Sequence, residues 1–176
     1  MSKKYKLTNE MIDVNGAVLH RIKALVDFSD VEAGDLGGWV ENERNLSHDG
    51  KAWVYDNAQV YGDALVYGNA WVYDNAWVYD NARVYGDARV CGNAWVSGDA
   101  WVGSNGHWLQ VGPIGSRNEY TTFFRAKGND ISVTCGCYQG SIDDFEARVR
   151  EVHGDSKYGK EYQIAIELAK CHIDLS

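Results

Sequence analysis

The sequence predicts a mainly β fold: a parallel β-helix, or hexapeptide solenoid, over residues 49–108, with a β cap before it and a small α+β domain after it. Three observations predict this. Residues 49–102 divide into nine six-residue units without a gap. Before them, in the capping segment 1–48, Asn15-Gly16 separates two apolar runs, a strong hairpin signal. After them, in 109–176, the hexads give way to turn-separated strand patterns and two amphipathic helix patterns.

The units read DGKAWV, YDNAQV, YGDALV, YGNAWV, YDNAWV, YDNARV, YGDARV, CGNAWV and SGDAWV, with alanine fourth and valine sixth in each. On an α-helix, successive valines would step by ~240° and define no buried face. A period of six fits one side of a three-sided coil, so three hexads make a coil of 18 residues. Valine points inward from each short strand. Alanine points inward near the corner, where a larger side chain does not fit. Gly, Asp and Asn take the corner because they tolerate positive φ. Coils stacked ~4.8 Å apart through parallel backbone hydrogen bonds align residues 18 apart, placing Val54, Val72 and Val90 in one column. Asn57, Asn75 and Asn93 form another, which predicts an amide ladder.

The fifth position points outward and holds Trp53, Trp71, Trp77, Trp95 and Trp101, with Arg83 and Arg89 interleaved. Indoles on flat faces either stack across coils or meet a partner. Stacking alone leaves broad apolar faces wet, so the expectation is a homo-oligomer, a trimer or a dimer of dimers, with these five tryptophans at the interface.

In the flanks, residues 31–50 read as an irregular first coil that closes the solenoid's open end. Downstream, "HWLQVGPI", "EYTTFFRAK" and "ISVTCGCYQG" are three strand candidates. "SIDDFEARVREVHG" reads as a helix capped by Ser141 and Asp144 and ended by Gly154, with Ile142, Phe145, Val149 and Val152 facing inward. A second helix over 155–173 turns Tyr162, Ile166, Ala169 and Ile173 inward.

The hexads resemble those of hexapeptide-repeat, left-handed β-helix proteins, and the left hand comes from that resemblance. "GDLGGWVE", the hexads and "IGSRNEYTTFFRAKGNDISVTCGCYQGSIDDFEARVREVHGD" together resemble a group of small phage and prophage proteins. Those proteins join YGDARV-type repeats to such a C-terminal domain. The resemblance implies a virus- or prophage-encoded accessory protein acting in a bacterial cytosol, and it carries over no catalytic residue.

Charge and composition narrow the partners. Net charge is −8, and no segment is basic, which argues against duplex nucleic acid. No apolar run is long enough for a membrane span, and the opening "MSKKYKLTNE" has no apolar core of a secretory signal. Four scattered cysteines fit a reduced cytosolic protein. Cys135 and Cys137, two apart on an expected strand, face one side and read as buried free thiols. With His153, Cys171 or His172 they fit no standard zinc spacing.

Hexapeptide-repeat acyltransferases use a histidine base and usually a protruding loop. The nine hexads contain no histidine, and His48 and His107 only flank them. The related carbonic anhydrase design needs three zinc-binding histidines across coils, which are also absent from the hexads. The expectation is therefore a non-enzyme that needs no cofactor. The best anion-binding candidate is "GPIGSRN", where Ser116 and Arg117 sit on a glycine-flanked turn. Arg125 and Lys127 lie one strand away, Lys157 and Lys160 open the second helix, and Tyr120 and Tyr158 are placed to stack on a base. Together they predict a phosphate-bearing small ligand. The expected function is an accessory protein that binds a host target, sequestering a nucleotide-like immune signal. The alternatives are an inhibitor of a host defence protein, and an acyltransferase-like or nucleotide-hydrolysing enzyme, for which Cys137 with His153 is the conceivable nucleophile pair.

Overall fold

The computed structural model describes residues 3–176. β1 (Tyr5–Val14) and β2 (Ala17–Ala24) form an antiparallel hairpin. Its turn residues Asn15 and Gly16 have φ of 53° and 88°, as a two-residue hairpin with right-twisted strands requires. β3 (Leu36–Val40) pairs antiparallel with β2 and, on its other edge, parallel with β5 (Gln59–Val60). The hairpin is thereby joined to the first coil.

Each hexad contributes one two-residue strand. After β4 (Trp53–Val54) and β5 come β6 (Leu65–Val66), β7 (Trp71–Val72) and β8 (Trp77–Val78). β9 (Arg83–Val84), β10 (Arg89–Val90), β11 (Trp95–Val96) and β12 (Trp101–Val102) complete the set. They stack into three sheets, β1-β2-β3-β5-β8-β11, β4-β7-β10 and β6-β9-β12. The register pairs Val54 with Val72 and Val72 with Val90, the columns the period predicts. Every hexad alanine and valine is buried at 0–1% exposure. Each valine so buried contributes about 1.5–3 kcal/mol of transfer free energy, repeated at every rung.

The corners differ from expectation. Asp56, Asp74 and Asp80 have φ of 52°, 60° and 58°, and their carboxylates run along the solenoid axis. Asp56 accepts from the Asp74 N–H, Asp74 from the Gly92 N–H and Asp80 from the Gly98 N–H. No Asn57–Asn75–Asn93 ladder forms among the described residues. These side chains are exposed, and carboxylates one position earlier already satisfy the corner amides. The side-chain rung present is Asn69 Nδ2 to Asp87 Oδ1, 3.0 Å.

Both ends of the prism are closed. Below, Phe28 and Tyr5 pack edge-on against Trp53 at 5.3 and 6.0 Å. Above, a four-stranded antiparallel sheet seals the last coil: β13 (Trp108–Ile114), β14 (Glu119–Ala126), β15 (Asp130–Cys135) and β16 (Tyr138–Ser141), in that order. Thr122 Oγ accepts the Trp95 N–H at 3.2 Å, and Thr134 Oγ donates to the Trp95 carbonyl at 2.6 Å. Hydroxyls thus replace the missing next strand, whose absence would leave open edge groups. β14 alternates: Phe124 joins the solenoid core, while Phe123 joins a second core under the helices α1 (Ile142–His153) and α2 (Lys157–His172). That is the period-two behaviour of a strand between two layers.

Three local expectations need correction here. "ISVTCGCYQG" is two strands, because Gly136 at φ 56° turns the chain and brings Tyr138 opposite Cys135. Cys135 and Cys137 therefore do not share one strand face, and neither is buried: Cys135 is half-buried and Cys137 exposed. Val152 is 61% exposed, since the helix's inner stripe ends one turn earlier at Val149.

Candidate functional site

A cleft of about 470 Å³ opens between the turns of the C-terminal sheet and helix α1. The β13–β14 turn supplies Ser116 and Arg117, and β14 opens with Glu119. The end of β15 supplies Cys135 and the β15–β16 turn Cys137, α1 supplies Arg148, Val152 and His153, and α2 supplies Tyr162.

The turn that carries Arg117 is fixed by α2. Gly115 has φ 74°, and its N–H donates to Glu161 Oε2 at 2.8 Å. The Tyr162 hydroxyl packs where a side chain on Gly115 would stand, so only glycine fits. This N–H is therefore already taken by a carboxylate, and the turn is not the open backbone nest its sequence predicts. Its cationic part survives. Arginine ion pairs among the described residues are those of Arg44 and Arg150, which leaves the cleft's Arg117 and Arg148 for solvent or a ligand.

The polar groups beneath are linked. Thr121 Oγ donates to Cys135 Sγ at 3.3 Å, and Cys135 Sγ lies 3.8 Å from the Tyr162 hydroxyl, to which it donates. Burial, with the neighbouring thiol adding to it, pushes the Tyr162 phenol well above its ordinary value. The His153 ring leans on Tyr162 with centroids 5.6 Å apart and meets Tyr158 edge-on at 6.2 Å. A thiol, a phenol and an imidazole are thus grouped beside two arginines. A second cavity of about 270 Å³ lies across Glu119, between Trp95, Asn93, Asn118 and Tyr120.

The structure divides the expected ligand residues. Ser116 and Arg117 line the cleft, and Tyr120 lines the second cavity. Arg125 does not join them. It sits six residues beyond Glu119 on β14, ~20 Å along the strand at its rise per residue. There it donates to the Ser176 carbonyl at 3.0 Å and to Asn129 Oδ1 at 2.7 Å. Its charge and burial, burial foremost, hold His107 below the ordinary histidine value. Lys127 is at the solenoid junction, its N–H donating to the Asp99 carbonyl. Lys157 pairs with Glu161 at 3.5 Å, and Lys160 is exposed on the same first turn of α2. Neither reaches the cleft. Arg148, Cys135 and Tyr162 were not among the expected ligand residues. The signal for Arg148 and for a binding role of His153 is their place beside Val149 and Val152 at the edge of the apolar stripe of α1.

On the solenoid, Trp53 is 1% exposed. Phe28 and Tyr5 cover it, so it cannot contribute to an interface. Trp71, Trp77, Trp95 and Trp101 are half-buried. Trp77 and Trp95 stack at 5.2 Å, Arg89 lies over Trp71 at 4.5 Å, and Arg83 lies over Trp101 at 5.5 Å. Among the described residues, no helix is long and apolar enough to cross a membrane.

These features define a β-solenoid protein with a C-terminal α+β module that holds a polar cleft. Residues 58–74, 76–90 and 88–104 match the YdcK beta solenoid repeat. The chain is also 36% identical over 62 residues to "Uncharacterized acetyltransferase YdcK" of Escherichia coli (strain K12). That match covers 31% of this chain and 19% of the relative, so the chain spans about a fifth of the relative's length. Both findings support a hexapeptide-like β-solenoid family. The relative's name points to enzymatic activity and so corrects the expectation, drawn from histidine-free hexads, that the chain is not an enzyme.

Proposed function

We propose that the chain is an acyltransferase-like enzyme whose reaction site is the C-terminal cleft, with a phosphate-bearing acyl thioester as donor. One observation carries this reading: Arg117 and Arg148 share a 470 Å³ cleft with His153. Two arginines offer planar forks to donor phosphates. The imidazole is the general base that the hexads lack. The relative's acetyltransferase name favours acyl transfer over hydrolysis of a nucleotide. Trp95, Tyr120, Asn93 and Asn118 give the second cavity aromatic faces and amides suited to a hydroxyl-rich acceptor. The solenoid is the rigid support, with copies meeting through Trp71, Trp77, Trp95 and Trp101. A virus-encoded role against host defence rests on the sequence resemblance alone.

The test is calorimetric titration with acetyl-coenzyme A, followed by assay of thiol release against a panel of hydroxyl and amine acceptors. Binding should weaken at least about tenfold in Arg117→Ala and in Arg148→Ala, and thiol release should fall about 100-fold or more in His153→Ala. A nucleotide bound in the cleft and released unaltered on denaturation, with no acyl transfer to any acceptor, would replace the enzyme by a sequestering protein.

A further inference from the structure

We propose that Cys135 is the nucleophile of this cleft, so that the acyl group passes through a Cys135 thioester before it reaches the acceptor. The inference rests on the acyl-transfer reading above and specifies its chemical route.

The four thiols are not equivalent. Cys91 belongs to a solenoid corner, Cys171 is exposed on α2, and Cys137 is exposed at the tip of the β15–β16 turn. Cys135 is half-buried, lines the cleft and has a polar partner on each side. On one side is Thr121, a residue with 0% exposure whose hydroxyl donates to the sulfur at 3.3 Å. That hydrogen bond holds the sulfur in place where β15 meets the cleft. On the other side, the sulfur's own proton points to the Tyr162 oxygen at 3.8 Å. The Tyr162 ring in turn lies against the His153 imidazole at 5.6 Å. Arg117 and Arg148 line the same cleft and are placed to hold a donor's phosphates beside the sulfur. A thiol kept only for packing needs none of these neighbours.

The chemistry balances without a further reactant. His153, which lines the same cleft, takes the Cys135 proton. The sulfur attacks the donor's thioester carbonyl, a new C–S bond forms, the donor's C–S bond breaks, and the departing thiolate takes the proton from the imidazolium. In the second half, an acceptor hydroxyl or amine attacks the Cys135 thioester and yields its proton to His153. Cys135 leaves as a thiolate and recovers that proton.

The experiment mixes the full chain with acetyl-coenzyme A, without acceptor, and quenches in acid. Intact mass should rise by one acetyl group per chain. Proteolysis should place that group on Cys135, and neutral hydroxylamine should remove it. Cys135→Ala should lose the adduct and about 100-fold or more of the turnover, while Cys171→Ala, exposed on α2 and outside the cleft, keeps both. The mapping on the unmodified chain needs no variant, so it decides the matter even if Cys135→Ala fails to fold. Turnover without an adduct, an adduct on Cys137, or full turnover by folded Cys135→Ala overturns the thioester route and leaves direct transfer standing. Neither adduct nor turnover with any acceptor sinks the acyl-transfer reading as well.

Discussion

Lys4 is 4% exposed, and its ammonium donates a 2.8 Å hydrogen bond to the Ala52 carbonyl and lies 5.0 Å from the Phe28 ring centroid. Burial, partly offset by Asp49, lowers it from 10.5 to about 8. Between these values the unfolded chain binds more protons than the folded one, so stability rises with pH. The gain from pH 7 to pH 9 is about 1 kcal/mol. Above pH 10 the sign reverses. Burial pushes Tyr61 up to about 12 and raises Tyr5 and Tyr162 further. These phenols stay protonated in the fold while the unfolded chain loses the same protons. Urea midpoints should therefore climb to a maximum between about pH 9 and pH 10 and then fall. Lys4→Met should remove the climb and keep the fall. A wild-type midpoint that is level from pH 7 to pH 9 would refute the assignment.

The corner at Ala76 is closed to larger side chains, for the residue is fully buried in the solenoid core. Ala76→Leu should cost about 1–3 kcal/mol by overpacking, a fall in melting temperature of roughly 2–12 °C for a chain of this length. Arg83→Leu is the contrast. Arg83 faces outward and pairs in register with Leu65, so leucine already stands in that column. Its loss of the Trp101 contact should cost about 1 kcal/mol or less. Calorimetry that ranks the two variants the other way would contradict the inward and outward assignment.

The difference between these positions was legible in the sequence, because every hexad restates the same demand: valine inside, alanine at the corner, a free outer side chain. The cleft had no such repetition. Arg117 comes from a hairpin turn, Cys135 from a strand end, His153 from α1 and Tyr162 from α2. Only docking of helices on the sheet brings them together. Arg125 was grouped with Arg117 although it lies one strand away, and that extended strand carries the two apart. The turn at Gly136 was hidden in an apolar run, where a single glycine marks a bulge as readily as a reversal. Trp53 repeats the outward signal of Trp71, and nothing inside its hexad records that Phe28 and Tyr5 cover it.

Oligomerisation through the remaining tryptophans predicts a solution mass that is a multiple of 19.7 kDa. The Trp77–Trp95 stack and the Trp101–Arg83 pair lie on different sheets, so Trp77→Lys and Trp101→Lys probe different faces. Light scattering with size exclusion should show a reduced subunit count in at least one variant, with the far-ultraviolet dichroism of the solenoid retained. A wild-type mass of one chain at every concentration would remove the interface.

The two cleft arginines predict a contrast with Arg125 that composition alone cannot mimic. Arg117→Ala, Arg148→Ala and Arg125→Ala each remove one positive charge from a chain of net charge −8. If the donor were attracted only by overall charge, all three would weaken binding alike, and the effect would vanish in salt. Arg125 is already committed to Ser176 and Asn129 at the far end of β14, so its removal should change donor affinity less than about twofold, although it unties the C-terminus and lowers stability by about 1 kcal/mol. Arg117 and Arg148 face the ligand space itself, so each loss should weaken affinity about tenfold or more and leave the melting temperature nearly unchanged. Titrations at low and moderate salt measure both effects on the same samples. Equal losses for all three arginines would place the donor outside the cleft.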